Sequence, residues 1–384
     1  MAMVSGAKRR RGLEEEQEED EDRISRLPDG ILGDIVTLLP TNDGARTQVL
    51  SSRWRHIWRS APLNIDLDII PDFPLGANHV TESVISRILS AHQGPSRRFS
   101  IPLDGWLESP ALDRLQELEF HYRRPQSTNL APLPPPPASV RRFSSTLRAV
   151  SFGCCGFTDG NNACPVLQRL LLKGTIGLSR VQIASPTLRS IGVRSNHGRV
   201  NLRQLIIEDA PCLERLLCFD YLGITISVIS APKLLVLGPL SDQSPRLEFG
   251  TTVIQGGSGF FSLKMVVHSV KVLSLFEERL SLDVVIEFMK CFPNVERLYI
   301  EPKMAGEKNV WCHKYMNLIG TLDIRLKKIV LAGYQGNMSH VNFVKFFVLN
   351  ARMLEFMRLE LFVALEDPSN AWIDKQHRPL RTKK

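Results

Sequence analysis

A short sequence pattern recurs along the chain and limits the folds that the chain can adopt. Each copy has a small or aromatic residue, a proline, one variable position and then aliphatic residues at a spacing of three. The clearest copies are CPVLQRLLL (164–172), SPTLRSIGV (185–193), APCLERLLC (210–218), APKLLVLGP (231–239) and FPNVERLYI (292–300). Because a fixed period in sequence indicates stacked structural units, the chain is predicted to form a repeat array.

The prolines indicate the length and the secondary structure of each unit. Intervals between Pro165, Pro186, Pro211 and Pro232 are 21, 25 and 21 residues, within the range of about 20 to 29 residues that is typical of leucine-rich repeats. Proline lacks an N–H group, so it belongs just before a strand and not within it. The pattern therefore predicts an α/β fold in which a curved leucine-rich-repeat solenoid contains one parallel sheet.

Weaker copies, LDRLQELEF, TLRAVSFGC and VKVLSLFEE, lie near residues 112, 146 and 270. Strands are expected near residues 147, 167, 188, 213, 234, 272, 295 and 327. Alternate aliphatic side chains of each strand point into the solenoid. Residues such as Gln168, Arg189, Glu214 and Glu296 are then expected on the other surface, which is the expected target-binding face. Most of these residues are expected to be ordinary solvent-facing positions, and a minority to carry binding energy.

The composition describes a chain that can form a core. It has 384 residues, of which 43% are hydrophobic and 23% charged, enough for more than one ordinary domain. We expect no membrane span, since the longest apolar candidate, residues 216–237, is interrupted by Asp220 and Lys233. The N-terminus passes from KRRR into EEEQEEDED without the apolar segment of a secretory signal. These features favour the nucleus and/or the cytoplasm.

The formal net charge of +8 is unevenly distributed. Residues 1–22 contain four basic and eight acidic side chains, which leaves 44 basic and 32 acidic side chains, a charge of +12, for the rest. Such an excess favours acidic partners and non-specific contact with nucleic acid. Specific nucleic-acid recognition is not expected, because no compact Lys/Arg stripe with interleaved aromatic residues is visible. The KRRR run at 8–11 fits either a nuclear import signal or a solvated basic patch.

Residues 22–68 are predicted to form three short helices, which prolines and capping residues delimit. The delimiting residues are Pro28 and Pro40 for the first helix, Thr41 or Asn42 and Leu50 for the second, and Ser51 or Ser52 for the third. In the third helix, Trp54, Ile57 and Trp58 form an apolar stripe. Three helices of this size carry more apolar surface than they can bury among themselves. Either the rest of the chain or a partner must cover it.

The same segment contains R-I-S-x-L-P-D-x-I-L-x-x-I-V-x-L-L-P-T followed by V-L-S-S-R-W-R-x-I-W. This long motif resembles the F-box of plant F-box proteins with leucine-rich repeats. The resemblance implies that the segment binds the Skp-type adaptor of an SCF ubiquitin ligase, and through it a cullin scaffold. By resemblance, the adaptor contact is made by Leu27, Pro28, Ile31, Ile35, Leu38, Val49, Leu50 and Trp54.

The C-terminal stretch LKKIVLAGYQGNMSHVNFVKFFVLNARMLEFMRLEL resembles the FBD module of the same family. A strand is expected over 326–331, a helix over 340–350 and a strand over 354–361. The helix is expected to place four residues on one face: Val341, Val344, Phe347 and Val348. Members of the family usually continue further past the segment that resembles AWIDKQHRPL, so the resemblance implies a truncated module in a chain that ends in RTKK.

Five regions follow from these patterns. They are a disordered charged tail (1–21), the F-box (22–68), a connecting region with the first repeat and a Pro-rich loop (69–145), the leucine-rich repeats (146–320) and the FBD-like module (321–384). In the Pro-rich loop, LAPLPPPPAS (130–139) is either a stiff connection or a ligand for an SH3-like groove. The resemblance implies a non-catalytic substrate-recognition subunit whose repeats bind a target of unknown identity.

Other candidate sites are weak. Seven cysteines without a CxxC pair fit free thiols in a reducing compartment, and Cys154, Cys155 and Cys164 lack zinc-ligand spacing. The glycine-rich QGGSGFF (255–261) has neither a Walker lysine nor a GxSxG motif and is interpreted as a turn. We expect no catalytic residues, cofactor or metal. The alternative function is a non-degradative nuclear scaffold, or a basic repeat protein that binds nucleic acid or another partner, and salt-sensitive nucleic-acid binding without an adaptor would favour it.

Overall fold

A computed structural model gives the structure of the chain. It describes residues 24, 26–39, 41–66, 78–100, 104–121, 135–153, 155, 165–173, 180–194, 202–218, 224–240, 246–250, 252–254, 266–304 and 323–361. The predicted disordered tail (1–21), the glycine-rich segment (255–261), Cys154, Cys164 and residues 362–384 lie outside this set.

The N-terminal segment is helical, as the sequence predicts. Its helices are α1 (Asp29–Leu38), α2 (Thr41–Arg46) and α3 (Ser52–Ser60), with a 3₁₀ turn at Thr47–Val49. Pro28 occupies the N-cap position of α1, one residue before the first helical position. The Ser51 side chain caps α3 by accepting a hydrogen bond from the backbone N–H of Trp54 at 3.4 Å. The second helix is shorter than expected, because the chain tightens into the 3₁₀ turn after Arg46.

Beyond α3 the described chain is built mainly of strands. In chain order they are β1 (Leu63–Asp66), β2 (Ser96–Ser100), β3 (Glu117–His121), β4 (Ala149–Gly153), β5 (Arg169–Lys173), β6 (Arg180–Ala184), β7 (Ser190–Arg194), β8 (Gln204–Asp209), β9 (Arg215–Cys218), β10 (Thr225–Val228), β11 (Val236–Leu240), β12 (Arg246–Phe249), β13 (Thr252–Ile254), β14 (Val272–Arg279), β15 (Arg297–Met304), β16 (Lys328–Tyr334) and β17 (Phe356–Leu361).

Twelve of these strands form one long sheet in the order β1-β2-β3-β4-β5-β7-β9-β11-β14-β15-β16-β17. Every neighbouring pair in it is parallel. The eight predicted strands all lie in this sheet and begin within about two residues of the expected positions. The predicted parallel sheet of a repeat solenoid is therefore confirmed.

A second sheet was not predicted. It has the order β13-β12-β10-β8-β6. Strands β6, β8, β10 and β12 alternate along the chain with strands of the long sheet, whereas β13 directly follows β12 and pairs with it antiparallel. The two sheets enclose one core, in which Leu205 and Ile226 of the second sheet cluster with Leu216 and Leu237 of the long sheet. In this part of the array each repeat thus contributes one strand to each side of the core.

Helices occupy other connections between neighbouring strands of the long sheet. Helix α4 (Asn78–Ala91) lies between β1 and β2, α5 (Leu282–Cys291) between β14 and β15, and α6 (Met338–Asn350) between β16 and β17. Along α6, the side chains of Val341, Val344 and Phe347 are buried, whereas Val348 is exposed. None of the helices in the described parts of the chain has the length and apolar character that a bilayer span requires.

Candidate functional site

Helix α1 carries two apolar stripes that face in different directions. One stripe consists of Leu32 and Val36, which are buried against Trp54, Ile57 and Ala61 of the α3 region. These five residues form a small core distinct from those of the strands, and Trp58 packs both against it and against the core around the first strands. The helical segment therefore has an interior of its own, and the second stripe is not needed to fill it.

The second stripe is exposed. Ile31, Ile35 and Leu38 recur at spacings of four and three, so they lie on one face of α1. Leu38 is 80% exposed, and Val49 and Leu50 in the turn before α3 are 85% and 64% exposed. Single exposed aliphatic residues are common on proteins, but several on so short a segment are typical of an interaction surface.

Arg53 holds the two parts of this surface together. Its Nε donates a hydrogen bond to the Asp29 carboxylate at 2.8 Å, and its Nη2 donates to the carbonyl oxygen of Leu27 at 2.5 Å. These bonds place the N-terminal end of α3, with Leu50 just before it, beside the N-terminal end of α1. We refer to the exposed residues of both parts as the apolar surface: Pro28, Ile31, Ile35, Leu38, Val49 and Leu50.

Six of the eight residues assigned by resemblance belong to this apolar surface. Of the other two, Leu27 is half-buried against the small core, and Trp54 is inside it with 8% exposure. Trp54 thus supports the apolar surface from beneath and offers little of its side chain to a partner. Ile24, which is 57% exposed, was not predicted. The sequence could have indicated Ile24, because it lies three residues before Leu27 in the same motif.

The helical segment is tied to the first strand of the long sheet. Only two residues separate α3 from β1. The Asn64 side chain donates to the carbonyl oxygen of Thr37 at 2.5 Å, and Thr41 donates to the carbonyl oxygen of Asn64. The backbone N–H groups of Gln93 and Gly94, next to β2, both bond to the carbonyl oxygen of Arg59, at 3.0 and 2.9 Å. These bonds set the position of the apolar surface relative to the repeats.

The outer face of the long sheet, the face away from the core, is the candidate surface for a target. The predicted polar residues Gln168, Arg189 and Glu214 lie just before β5, β7 and β9, where each N–H bonds to the carbonyl oxygen of the preceding repeat. Glu296 lies at the equivalent position before β15. Hydrogen bonds from Lys327 and then Lys271 lower the pKa of the Glu296 carboxyl below its ordinary value. Charged residues therefore form a row at this edge of the sheet.

Three of the four cysteines in the described residues are buried. The described parts of the chain contain no group of three or more His, Cys, Asp or Glu side chains placed to hold a metal ion. Cys155, Cys218 and Cys291 are buried free thiols, and Cys212 is half-buried. Burial raises the pKa of Cys218 and of Cys291 to about 12, so neither is a reactive thiolate near neutral pH.

Three known protein families match successive parts of the chain. The family described as "FBD-associated F-box protein At5g56370, LRR repeats" matches residues 103–163 and 162–300, which is more than half of the chain. The F-box domain matches residues 24–66, which include the apolar surface, and the FBD matches residues 317–359. The chain belongs to the F-box/FBD/LRR-repeat family.

Three similar proteins from Arabidopsis thaliana illustrate the relationship. F-box/FBD/LRR-repeat protein At1g51370 is 29% identical over 125 residues, which cover 30% of this chain and 28% of the relative. Putative F-box/FBD/LRR-repeat protein At5g44950 is 40% identical over 80 residues, covering 21% of this chain and 18% of the relative. F-box/FBD/LRR-repeat protein At5g22700 is 52% identical over 52 residues, covering 13% of this chain and 12% of the relative. Each of these alignments spans less than a third of the relative's length.

Proposed function

We propose that this F-box/FBD/LRR-repeat protein is the substrate-recognition subunit of an SCF-type ubiquitin ligase and is itself non-catalytic. One observation carries the proposal: the segment that matches the F-box presents an apolar surface that its own small core does not use. A Skp-type adaptor is the partner that an F-box implies, and a cullin scaffold would be reached through it. The protein would act in the nucleus or the cytoplasm; the KRRR run at 8–11 fits a nuclear import signal, and a fluorescent fusion would test the location.

The apolar surface has the properties of a protein interface. Aliphatic side chains that lose their contact with water on binding contribute about 25 cal/mol for each Å² of apolar area buried. The rim is polar, because Asp29 and Arg53 lie beside Pro28 and pair with each other at 2.7 Å. An apolar centre with a charged rim is the usual arrangement in specific complexes.

The repeats would supply the target-binding half of the molecule. Holding a target and the ubiquitin-transfer machinery in one complex raises their effective concentration without any chemistry by this chain. The hydrogen bonds at Asn64, Gln93 and Gly94 support this role, since they fix the helical segment against the sheet. The orientation of a bound target would then be set by the fold.

Two leucines of nearly equal exposure allow a matched test of adaptor binding. Leu50 on the apolar surface is 64% exposed and Leu349 on α6 is 63% exposed. Leu50→Asp is expected to weaken capture of a purified Skp-type adaptor by about thirtyfold or more, the usual effect of losing an interface hot spot. Leu349→Asp introduces the same charge elsewhere and is expected to leave capture unchanged. The measurement is co-purification followed by titration on the full chain.

A second variant separates binding from folding. The combination Leu27→Ala, Pro28→Ala and Ile35→Asp should abolish adaptor capture, while residues 140–365 remain resistant to protease because the repeats have their own core. Adaptor binding at unchanged affinity would exclude the proposed role of the apolar surface. Simultaneous loss of the adaptor and of protease resistance would show that the surface packs inside the chain instead.

A further inference from the structure

We propose that strands β9, β11, β14 and β15 bind an extended acidic segment of a target across the outer face of the long sheet. Pairing of these four strands places Arg215 next to Val236, Val236 next to Val272, and Val272 next to Arg297. We refer to these four residues as the arginine-flanked row. The inference deepens the proposed function, because it names the chemistry of the target that the repeats would recognise.

The arginine-flanked row points away from the core. The residue that follows each member in its strand is fully or almost fully buried: Leu216, Leu237, Leu273 and Leu298. Successive side chains of a strand point to opposite faces, so Arg215, Val236, Val272 and Arg297 lie on the outer face. Both arginines are exposed and both valines are half-buried. The row thus has a flat apolar centre with a cation at each end.

Neither Arg215 nor Arg297 forms an ion pair or a side-chain hydrogen bond with other residues that the structure describes. The carboxylates next to them in sequence are already engaged. Glu214 pairs with Arg189 at 2.7 Å, and Glu296 pairs with Lys327 at 3.0 Å and with Lys271 at 3.4 Å. The two arginines therefore retain the capacity to pair with carboxylates of another molecule.

Two cations on the β5 part of the same face are paired within the chain. Arg169 of β5 reaches across β4 to Glu117 of β3 at 2.6 Å, and Lys173 pairs with Glu119 in the same way. On β4, Ala149 lies between Glu117 and Arg169, while Ser151 is next to Glu119 and Gly153 is next to Lys173. All three β4 residues are small enough to be spanned. These pairs leave less free positive charge at β5 than at the arginine-flanked row, whose two arginines have no such partners among the described residues, and Arg194 of β7 is a further exposed cation on this face.

Lys328 extends the cationic side of the row. It lies next to Arg297 in the register of β15 and β16. Its Nζ is 5.7 Å from the centroid of the Tyr299 ring and 5.3 Å from that of Phe356. Rings on both sides favour one position of the ammonium group, and Phe356 is itself half exposed. A segment that leaves the row at Arg297 would meet a fixed cation and an aromatic surface.

The spacing of the row predicts the spacing of its ligand. Neighbouring strands are about 4.8 Å apart, so Arg215 and Arg297 are separated by about 14 Å. An extended peptide rises about 3.4 Å per residue, so its residues i and i+4 span the same distance and share one face with residue i+2. The predicted ligand has an acidic residue, an apolar residue two positions later and an acidic residue two positions after that. The apolar side chain would contact Val236 and Val272.

A labelled peptide provides the test. The probe is fluorescein-Gly-Ser-Asp-Ser-Leu-Ser-Asp-Ser-Gly, titrated with the full chain by fluorescence polarisation at low ionic strength. Each of Arg215→Ala and Arg297→Ala is expected to weaken binding about threefold to fivefold, the range of a solvent-exposed ion pair. Replacing both aspartates by asparagine should weaken binding at least as much as both substitutions together. Added salt should weaken it further.

Controls identify the surface and the class of ligand. Arg180→Ala removes an exposed arginine from β6 on the other sheet and is expected to have no effect. With a peptide that has only one aspartate, either Arg215→Ala or Arg297→Ala should no longer change the affinity, because one arginine has lost its partner. Equal affinity for the aspartate and asparagine peptides, or unchanged affinity in both arginine variants, would overturn the proposal. It would also fail if a single-stranded oligonucleotide bound more tightly than the peptide and depended on the same two arginines.

The affinity for the acidic peptide is expected to be independent of adaptor binding. Leu50→Asp is expected to leave peptide affinity unchanged, because Leu50 lies on the helical segment and the arginine-flanked row lies on β9 to β15. Peptide binding without adaptor capture would contradict the proposed ligase function and support the row as a binding site. Adaptor capture without peptide binding would support the ligase function and overturn the acidic ligand.

Discussion

His92 Nε2 lies 2.8 Å from the carbonyl oxygen of Ala61. A carbonyl oxygen only accepts, so Nε2 carries the proton and Nδ1 is left as a buried nitrogen without a partner among the described residues. Burial lowers the pKa of His92, and the bond to Ala61 opposes this effect in part. Since Ala61 ends α3 and His92 follows α4, the bond joins the helical segment to the start of the repeats.

Gly94, two residues after His92, is expected not to tolerate a side chain. A Cβ atom there would lie 2.3 Å from the carbonyl oxygen of Ala61 and 2.6 Å from that of Ser60. Gly94→Ala should therefore lower the free energy of unfolding by about 1 to 3 kcal/mol, because the backbone must move. Gly105→Ala serves as the control, since a Cβ atom at Gly105 meets nothing within 4 Å. The measurement is the midpoint of unfolding in urea. Equal midpoints for the two variants would contradict the close approach of Gly94 to the Ala61 and Ser60 carbonyl groups.

His340 is expected to make the C-terminal module sensitive to acid. The imidazole is buried beside the Tyr334 ring, its Nδ1 accepts from the backbone N–H of Gln335 at 3.0 Å, and desolvation lowers its pKa. The unfolded state, with its ordinary pKa of 6.5, then binds protons more readily than the folded state. The contribution of His340 to stability should be constant above about pH 7 and fall as the pH drops from the unfolded towards the folded pKa, by up to about 1.4 kcal/mol per pH unit.

The variant His340→Asn tests this expectation. An asparagine carbonyl can accept the Gln335 N–H bond in place of Nδ1 but does not titrate. Unfolding in urea at several pH values between 5 and 8 should give a flatter profile for the variant than for the unmodified chain. Identical slopes would show that His340 does not contribute to the acid sensitivity.

Thiol reactivity should follow burial. With pKa values of about 12, only about one in ten thousand molecules carries a thiolate at Cys218 or Cys291 at pH 8. Brief treatment of the folded chain with iodoacetamide should leave both unmodified, and treatment in urea should modify both. Peptide mapping by mass spectrometry would measure this directly. Rapid modification of Cys218 in the folded chain would show that β9 opens to solvent.

The repeat strands were predictable because proline marks where each one begins. Pro165, Pro186, Pro211 and Pro232 each lie four residues before a strand of the long sheet. Strands of the second sheet lack such a marker. RVQIA of β6 and RLEF of β12 alternate polar and apolar residues, but they are only five and four residues long. Their assignment to a second sheet depends on contacts with the core that so short a local pattern does not reveal.

The apolar surface was only partly predictable for a related reason. Helical spacing identifies Ile31, Leu32 and Ile35 as apolar positions of α1, but it does not say which stripe faces the interior. Packing against Ala61 and Ile57 places Leu32 inside and leaves Ile31 and Ile35 outside. The family resemblance assigned Trp54 to the adaptor contact, whereas its burial depends on tertiary packing that the sequence pattern does not show.

The different positions of Trp54 and Ile35 lead to the last prediction. Trp54→Ala removes the largest side chain of a core that includes Leu32, Val36 and Ile57. A large-to-small change of this kind costs about 3 to 5 kcal/mol, which a core of so few residues cannot offset. Trp54→Ala should therefore lose adaptor capture by unfolding the helical segment. Ile35→Asp should lose it while the segment stays folded, since Ile35 lies on the surface.

Limited proteolysis of the helical segment distinguishes the two variants. Cleavage within 41–66 should accelerate strongly in Trp54→Ala and remain at the level of the unmodified chain in Ile35→Asp. Trp54→Phe keeps most of the buried volume and should recover part of both protease resistance and adaptor capture. If Trp54→Ala abolished adaptor capture while the segment stayed resistant to protease, Trp54 would contact the adaptor directly and the helices would have to open to present it.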